Sequence, residues 1–290
     1  MRFQHWAAFI GLGVIWGSSF FWNKLALQEI GPFTLVVARV MLGLIGMLVG
    51  MVIRRPKLPE TRRQWLMMGL LGLTNTAIPF SLIAWSQQHI DSTVVSILVS
   101  SVPIFTVILA HFLVREERLF PKKFLGVVVG FLGVVVLFWR GLSSVGEMTM
   151  AGQFGVLGAA VFYAISPIIA QKETSKLDPL IQSFVSLAVA NVFMWAVVMI
   201  AEPAFRLPTE PTTWGALLWL GLVGSALAYH IYYFLIGEIG STRTSMIAYL
   251  MPVVGLVLGV LLLREDFDMQ LLAGSVLVLG SIWVVNRVKG

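Results

Sequence analysis

The chain of 290 residues predicts an all-α membrane protein of ten transmembrane helices, arranged as two inverted five-helix repeats with both termini in the cytoplasm. Three observations predict it. Apolar stretches of bilayer-crossing length follow one another almost without interruption, basic residues gather on one side of them, and a shift of 149 residues lays the second half over the first.

The chain is 58% hydrophobic and 12% charged, with a mean hydropathy of +0.90. Soluble domains are far more polar, and little length remains here for one. With no cysteine, the chain has no disulfides, thiolate metal sites or cysteine nucleophiles. The formal charge of +6 sits in short loops between apolar runs, where it sets topology and does not point to nucleic acid.

A membrane crossing takes about 20 apolar residues. Runs bounded by charges, prolines and glycines give 6–23, 32–53, 64–85, 94–113, 123–139, 152–171, 180–201, 213–235, 243–263 and 270–286. The first lacks a small-residue cleavage site and reads as a retained helix, not a signal peptide. The fifth is short, and the ninth has Arg243 near its start. With alternate loops assigned to opposite sides, fifteen Lys and Arg residues outside the spans fall on the side of Arg2 and four on the other. The positive-inside rule then puts both ends in the cytoplasm of a bacterial inner membrane.

At the shift of 149, Trp65 meets Trp214, Ser92-Thr93 meets Ser241-Thr242, Pro103 meets Pro252, and Arg115-Glu116 meets Arg264-Glu265. Leucine matches arise by chance between apolar helices; tryptophan, proline and Arg-Glu at one shift do not. The halves divide as 1–146 and 147–290. Five spans is an odd number, so the second half enters the membrane from the opposite side, as in secondary transporters whose substrate site lies at mid-membrane between the halves.

Several residues stand inside this frame. Arg39 lies about seven residues into the second span, where an unpaired charge costs at least about 2.5–3.5 kcal/mol, so it is read as a gate residue, an anion contact or a lock between helices. His230, near the middle of the eighth span in Tyr229-His230-Ile231-Tyr232-Tyr233, is a candidate for proton coupling or substrate contact. Trp16, Phe80, Tyr163 and Tyr249 supply aromatic surface for a cavity wall, and Asn75 a polar contact; Asn191 binds substrate or joins helices. Pro103 and Pro252 read as hinges or bends common to both halves. The pairs Gly13/Gly17 and Gly126/Gly130 read as close packing within the chain.

None of the four histidines falls in a metal-ligand spacing, and no cofactor is expected. No acidic residue lies in the apolar middle of a span, which argues against a cation antiporter of the small multidrug type. No phosphate-binding GxxxxGK[ST] loop is present, so ATP does not drive the chain directly. The residues do not form the clustered acids, bases or ligands that an integral-membrane lipid-modifying enzyme needs.

These features together resemble the drug/metabolite transporter superfamily, in its ten-helix EamA branch. The likeness is carried by Trp16-Gly17-Ser18-Ser19-Phe20, Pro32, Arg39, Pro103 and Arg115-Glu116, then Gly126 with Gly133, and the echo Ser241-Thr242, Pro252, Glu265 and Gly280. The resemblance implies export of small metabolites such as amino acids from a central cavity built mainly by spans one, three, four, six, eight and nine. The expected partners are a small-molecule substrate and membrane lipid. A monomer is expected, with a dimer as the alternative; a lipid or carrier-lipid flippase of the same fold is the rival function.

Overall fold

The computed structural model describes residues 2–86, 89–90, 92–115, 117, 120–137, 139, 150–202, 207–263 and 269–287, and every element among them is helical. Glu116, Arg264-Glu265 and the proposed boundary at 146/147 lie outside the described residues. A helix lies over each interval read from the sequence. We number these rods α1 (Phe3–Ala26), α2 (Pro32–Arg54), α3 (Arg62–Gly72, Leu73–Ala77 and Ile78–Ser86 in one run) and α4 (Ser92–Val99, then Val102–Leu113). They continue as α5 (Pro121–Leu137), α6 (Met150–Ile169 with Ala170–Thr174), α7 (Pro179–Ala201) and α8 (Pro211–Leu218, Trp219–Leu227 and Ala228–Ile239). The last two are α9 (Ser241–Ser245, then Ile247–Leu263) and α10 (Met269–Arg287).

Among the described residues, Pro32–Arg54, Arg62–Ile83, Met150–Thr174, Pro179–Ala201 and Pro211–Ile239 are long and apolar enough to cross a membrane, and Ile97–Leu113 and Leu272–Arg287 are shorter apolar helices. Their outward faces stay apolar: Val52, Ile53, Val192 and Ile200 are all exposed. That surface suits lipid, and helices suit it too because they satisfy their own backbone.

Helix starts follow local chemistry. Thr61 accepts from Gln64 N at 3.2 Å while Gln64 Oε1 accepts from Thr61 N at 3.2 Å, a reciprocal cap on α3. Asp178 caps α7 through Leu180 N at 2.8 Å. Pro32, Pro179 and Pro211 occupy first turns, where a missing N–H costs nothing. Pro103 belongs with these: it follows the break at Ser100-Ser101 and starts the second segment of α4, whereas Pro252 lies inside a continuous helix of α9. The two prolines match in sequence but not in local geometry.

The halves repeat the same devices. Trp65 Nε1 donates to Pro59 O at 3.2 Å, and Trp214 Nε1 donates to Pro208 O at 2.9 Å, 149 residues on in both partners. The π-helical turn Leu73–Ala77 in α3 has its counterpart within Trp219–Leu227 in α8 at the same shift. Packing obeys an exchange of α1–α5 with α6–α10. α1 packs on α8 and α9 as α6 packs on α3 and α4, and α2 packs on α8 as α7 packs on α3. α2 and α7 pair with each other, as do α5 and α10.

Small residues let these pairs close. A methyl at Gly17 would lie 2.9 Å from Met251 O in α9, and one at Gly126 would lie 2.7 Å from the Val285 side chain in α10. At Gly130 the ring of Tyr249 and the hydroxyl of Ser281 fill the space. The glycine spacings are therefore spent on contacts within the chain.

Candidate functional site

A cavity of about 250 Å³ lies between the halves. α1 contributes Trp16 and Asn23, α2 Arg39, α3 Asn75 and Phe80, α6 Tyr163, α8 Tyr229 and Tyr232, and α9 Met251 and Pro252. Its lining extends to Leu27 and Pro32, at the turn between α1 and α2.

Arg39 is only 7% exposed, and its partners are neutral. Nε donates to Ser225 Oγ at 3.0 Å, Nη2 donates to Gly224 O at 3.0 Å, and the guanidinium carbon stands 5.4 Å from the Phe80 ring centre. Such an arrangement satisfies part of a buried cation without a counter-charge. Trp16 Nε1 donates to the same Gly224 oxygen at 3.2 Å.

That carbonyl is available for a local reason. In a π turn each N–H reaches back five residues, and where bonding returns to four back the ladder passes over one carbonyl. Ala228 N is shared between Val223 O, five back, and Ser225 O, three back, and neither bond takes up the Gly224 oxygen that lies between them.

The aromatic wall is tied by its polar tips. Tyr229 OH donates to Asn75 O at 3.2 Å and shares a 2.8 Å hydrogen bond with Thr76 Oγ1, both in the π turn of α3. Trp16 meets Tyr229 and Tyr232 with ring centres 6.0 and 5.4 Å apart. The π turn of α3 thus reaches the cavity through Asn75, while that of α8 holds two wall residues, Trp16 and Arg39, through the Gly224 carbonyl.

Of the residues singled out from the sequence, Trp16, Arg39, Asn75, Phe80, Tyr163 and Pro252 come together on this wall. His230, Tyr249 and Pro103 do not line it. His230 is a quarter-turn or more from Tyr229 around α8, while Tyr229, Tyr232 and Tyr233 share one face at helical spacing; its Nδ1 is buried without a hydrogen-bond partner among the described residues. Tyr249 is fully buried and donates to Val127 O at 2.7 Å, joining α9 to α5. Asn191 Nδ2 donates to Val37 O at 3.3 Å, which makes it a join between α7 and α2. Sequence reasoning missed Tyr232, Asn23 and the Gly224-Ser225 turn; the spacing of Tyr229 and Tyr232 was the available signal for the first.

At the other end of the bundle, carboxylates hold helices together. Glu117, after α4, accepts from Ser241 Oγ at 2.9 Å and Thr242 N at 3.1 Å, with Lys123 Nζ 3.2 Å away. Burial pushes its carboxyl up, but Lys123 and the Ser241 and Thr242 donors outweigh burial and hold it below the usual value of 4.5. Gln171 Oε1 accepts from Ser241 N at 2.7 Å. Gly240 makes this possible: its φ of +84° turns the chain from α8 into α9 in a conformation few other residues adopt. Arg63 and Glu173 form a bidentate pair at 2.9 and 2.8 Å.

At the α1–α2 end, Glu202, just after α7, caps α2, accepting from Phe33 N at 2.8 Å and Thr34 N at 2.9 Å. Glu29 caps α8; the Thr213 hydroxyl first, then Thr209, hold it at about 2.

A family model described as the EamA-like transporter family matches residues 6–139 and again 150–287. The uncharacterized transporter YoaV of Bacillus subtilis (strain 168) is 24% identical over 282 residues, 95% of this chain and 94% of that protein. The uncharacterized inner membrane transporter YedA of Escherichia coli (strain K12) is 25% identical over 291 residues, 98% and 92% of the two chains. The WAT1-related protein At3g02690, chloroplastic, of Arabidopsis thaliana is 24% identical over 295 residues, 99% of this chain and 70% of that protein. A solved crystal structure superposes with a TM-score of 0.81 at 18% identity, over 97% of this chain and 98% of its own, a likeness of fold. The family and the two bacterial relatives are named as transporters rather than enzymes, and the chain, matched along both halves, belongs to the EamA-like transporter family.

Proposed function

We propose that the protein exports small metabolites, amino acids or related amphipathic compounds, across a bacterial inner membrane by alternating access. In this reading ten transmembrane helices form two inverted five-helix repeats with both termini in the cytoplasm. The observation that carries it is the cavity between the halves, walled by aromatic rings and built by matching elements of both. The exchange symmetry of the packing supports two conformations of similar free energy, one for each half in each role. On the topology read from basic residues, the lining that reaches Leu27 and Pro32 faces outward, and the Glu117 and Arg63 ties close the inner end. The driving force is an ion or substrate gradient, and facilitated diffusion serves equally.

The test is exchange of a labelled amino-acid panel into proteoliposomes preloaded with unlabelled amino acids, comparing wild type with Trp16→Ala and Tyr163→Ala. Saturable exchange of one group, reduced by both substitutions in folded protein, is the expected result. No exchange of any amino acid by folded protein would sink the amino-acid assignment and bring lipid forward as cargo.

A further inference from the structure

We propose that the cavity selects a small organic anion, a monocarboxylate with an apolar or aromatic body, over the zwitterion or cation of the same body. This rests on the reading of the cavity as the substrate site and names the charge of what enters it.

Among the described residues, Arg39 is the one charged side chain on the wall. Its guanidinium stays protonated under all ordinary conditions and carries five N–H donors. One on Nε and one on Nη2 go to Ser225 Oγ and Gly224 O, both uncharged. Nη1 has no hydrogen-bond partner among the described residues, and no described carboxylate lies within ion-pair distance of Arg39. The rest of the wall is aromatic, aliphatic or neutral polar, so the cavity carries one uncompensated positive charge in an apolar setting.

A carboxylate on Nη1 and the remaining Nη2 N–H would neutralise that charge and meet the planar donor edge in its preferred geometry. The Phe80 ring below Arg39, with Trp16 and Tyr229 near it, leaves an apolar body in contact with rings. An α-ammonium restores the positive charge that the carboxylate removed, and the wall offers it only neutral acceptors such as Asn23 Oδ1, which is buried without a partner among the described residues. A simple amine adds a second positive charge with nothing to offset it. The order of affinity is therefore anion, zwitterion, cation.

The experiment uses the purified protein in nanodiscs of zwitterionic lipid at neutral pH, with four probes that share one body: 3-phenylpropanoate, its amide, phenylalanine and phenethylamine. Binding is read by calorimetry. The acid is expected to bind about ten- to hundredfold more tightly than the amide, the range for a hydrogen bond to a charged group, with phenylalanine between them and the amine weakest. Arg39→Gln is expected to bring acid and amide to the same affinity, and Arg39→Lys to keep part of the preference. Equal binding of acid and amide by wild type, or tightest binding of phenylalanine, overturns the proposal without recourse to a variant. In that case amino-acid exchange sensitive to Trp16→Ala would leave the cavity reading standing; loss of both results would remove both.

Discussion

Trp16 and Arg39, on neighbouring helices of the first half, donate to one carbonyl oxygen of the second, that of Gly224, at 3.2 and 3.0 Å. Two wall residues are thus fixed by a single backbone atom. Trp16→Phe keeps an aromatic ring but removes the donor and part of the indole, so it should cost at least about 1 kcal/mol of stability, the net value of one hydrogen bond, plus the lost packing. Thermal unfolding in detergent, with Trp16→Ala as the larger loss, checks this.

The Glu117 tie gives a prediction with a sign in pH. Its carboxyl is held below the ordinary value of 4.5, so the stabilisation is present above that value and disappears as pH falls through the lower folded value. The melting temperature of wild type is expected to fall below pH 4.5 more steeply than that of Glu117→Gln, which has lost the charge already. Parallel curves for the two proteins would show that the tie contributes nothing.

Tyr249 and Tyr163 separate structure from site. Tyr249→Phe leaves the bond to Val127 O unmade and should lower stability by about 1 kcal/mol while leaving substrate affinity unchanged. Tyr163→Ala lies on the wall and should weaken substrate affinity in the exchange assay.

His230 does not line the cavity. His230→Ala should therefore leave the half-saturating substrate concentration within about twofold, less than the tenfold that 1.4 kcal/mol produces. A larger change in the proteoliposome assay would return His230 to the site.

Gly130 faces the Tyr249 ring and Ser281 across the α5–α10 and α5–α9 contacts. Gly130→Val overpacks this seam and should cost about 1–3 kcal/mol, read as a drop in melting temperature and in yield of folded protein. The exposed Gly215, with open space around it, is the control: Gly215→Ala should be neutral or slightly stabilising.

The helices were legible because each is a long apolar run, and the repeat because tryptophan and proline are rare enough to mark a register. Much of the wall was legible too: an arginine, an asparagine and large aromatics in the middle of apolar runs have few other places to go. His230 and Tyr249 show where that reasoning stops. Depth in the membrane follows from position along a run, but which way a side chain faces depends on helix phase and on neighbours. Tyr249 finds its partner on α5, 122 residues away. Nothing in Trp219–Leu227 marks a π turn, so the Gly224 carbonyl was invisible as a ligand of Arg39. The pairing of Glu117 with Ser241-Thr242 was hidden for the same reason: each half of it reads as an ordinary helix end.

The π turn of α8 places a backbone acceptor by its length. The oxygen that holds Trp16 and Arg39 owes its place to the number of residues in the turn and to no side chain. Substitutions scanned one at a time across 219–227 would report packing, as at Gly221 against Leu42, or the Ser225 contact to Arg39, and would leave that backbone acceptor standing. Deleting one residue there would let the ladder close into a plain α-helix and withdraw the oxygen, with the residues on either side untouched. In this helix chain length itself is an encoded contact, and a survey of insertions and deletions would find it where a survey of side chains would not.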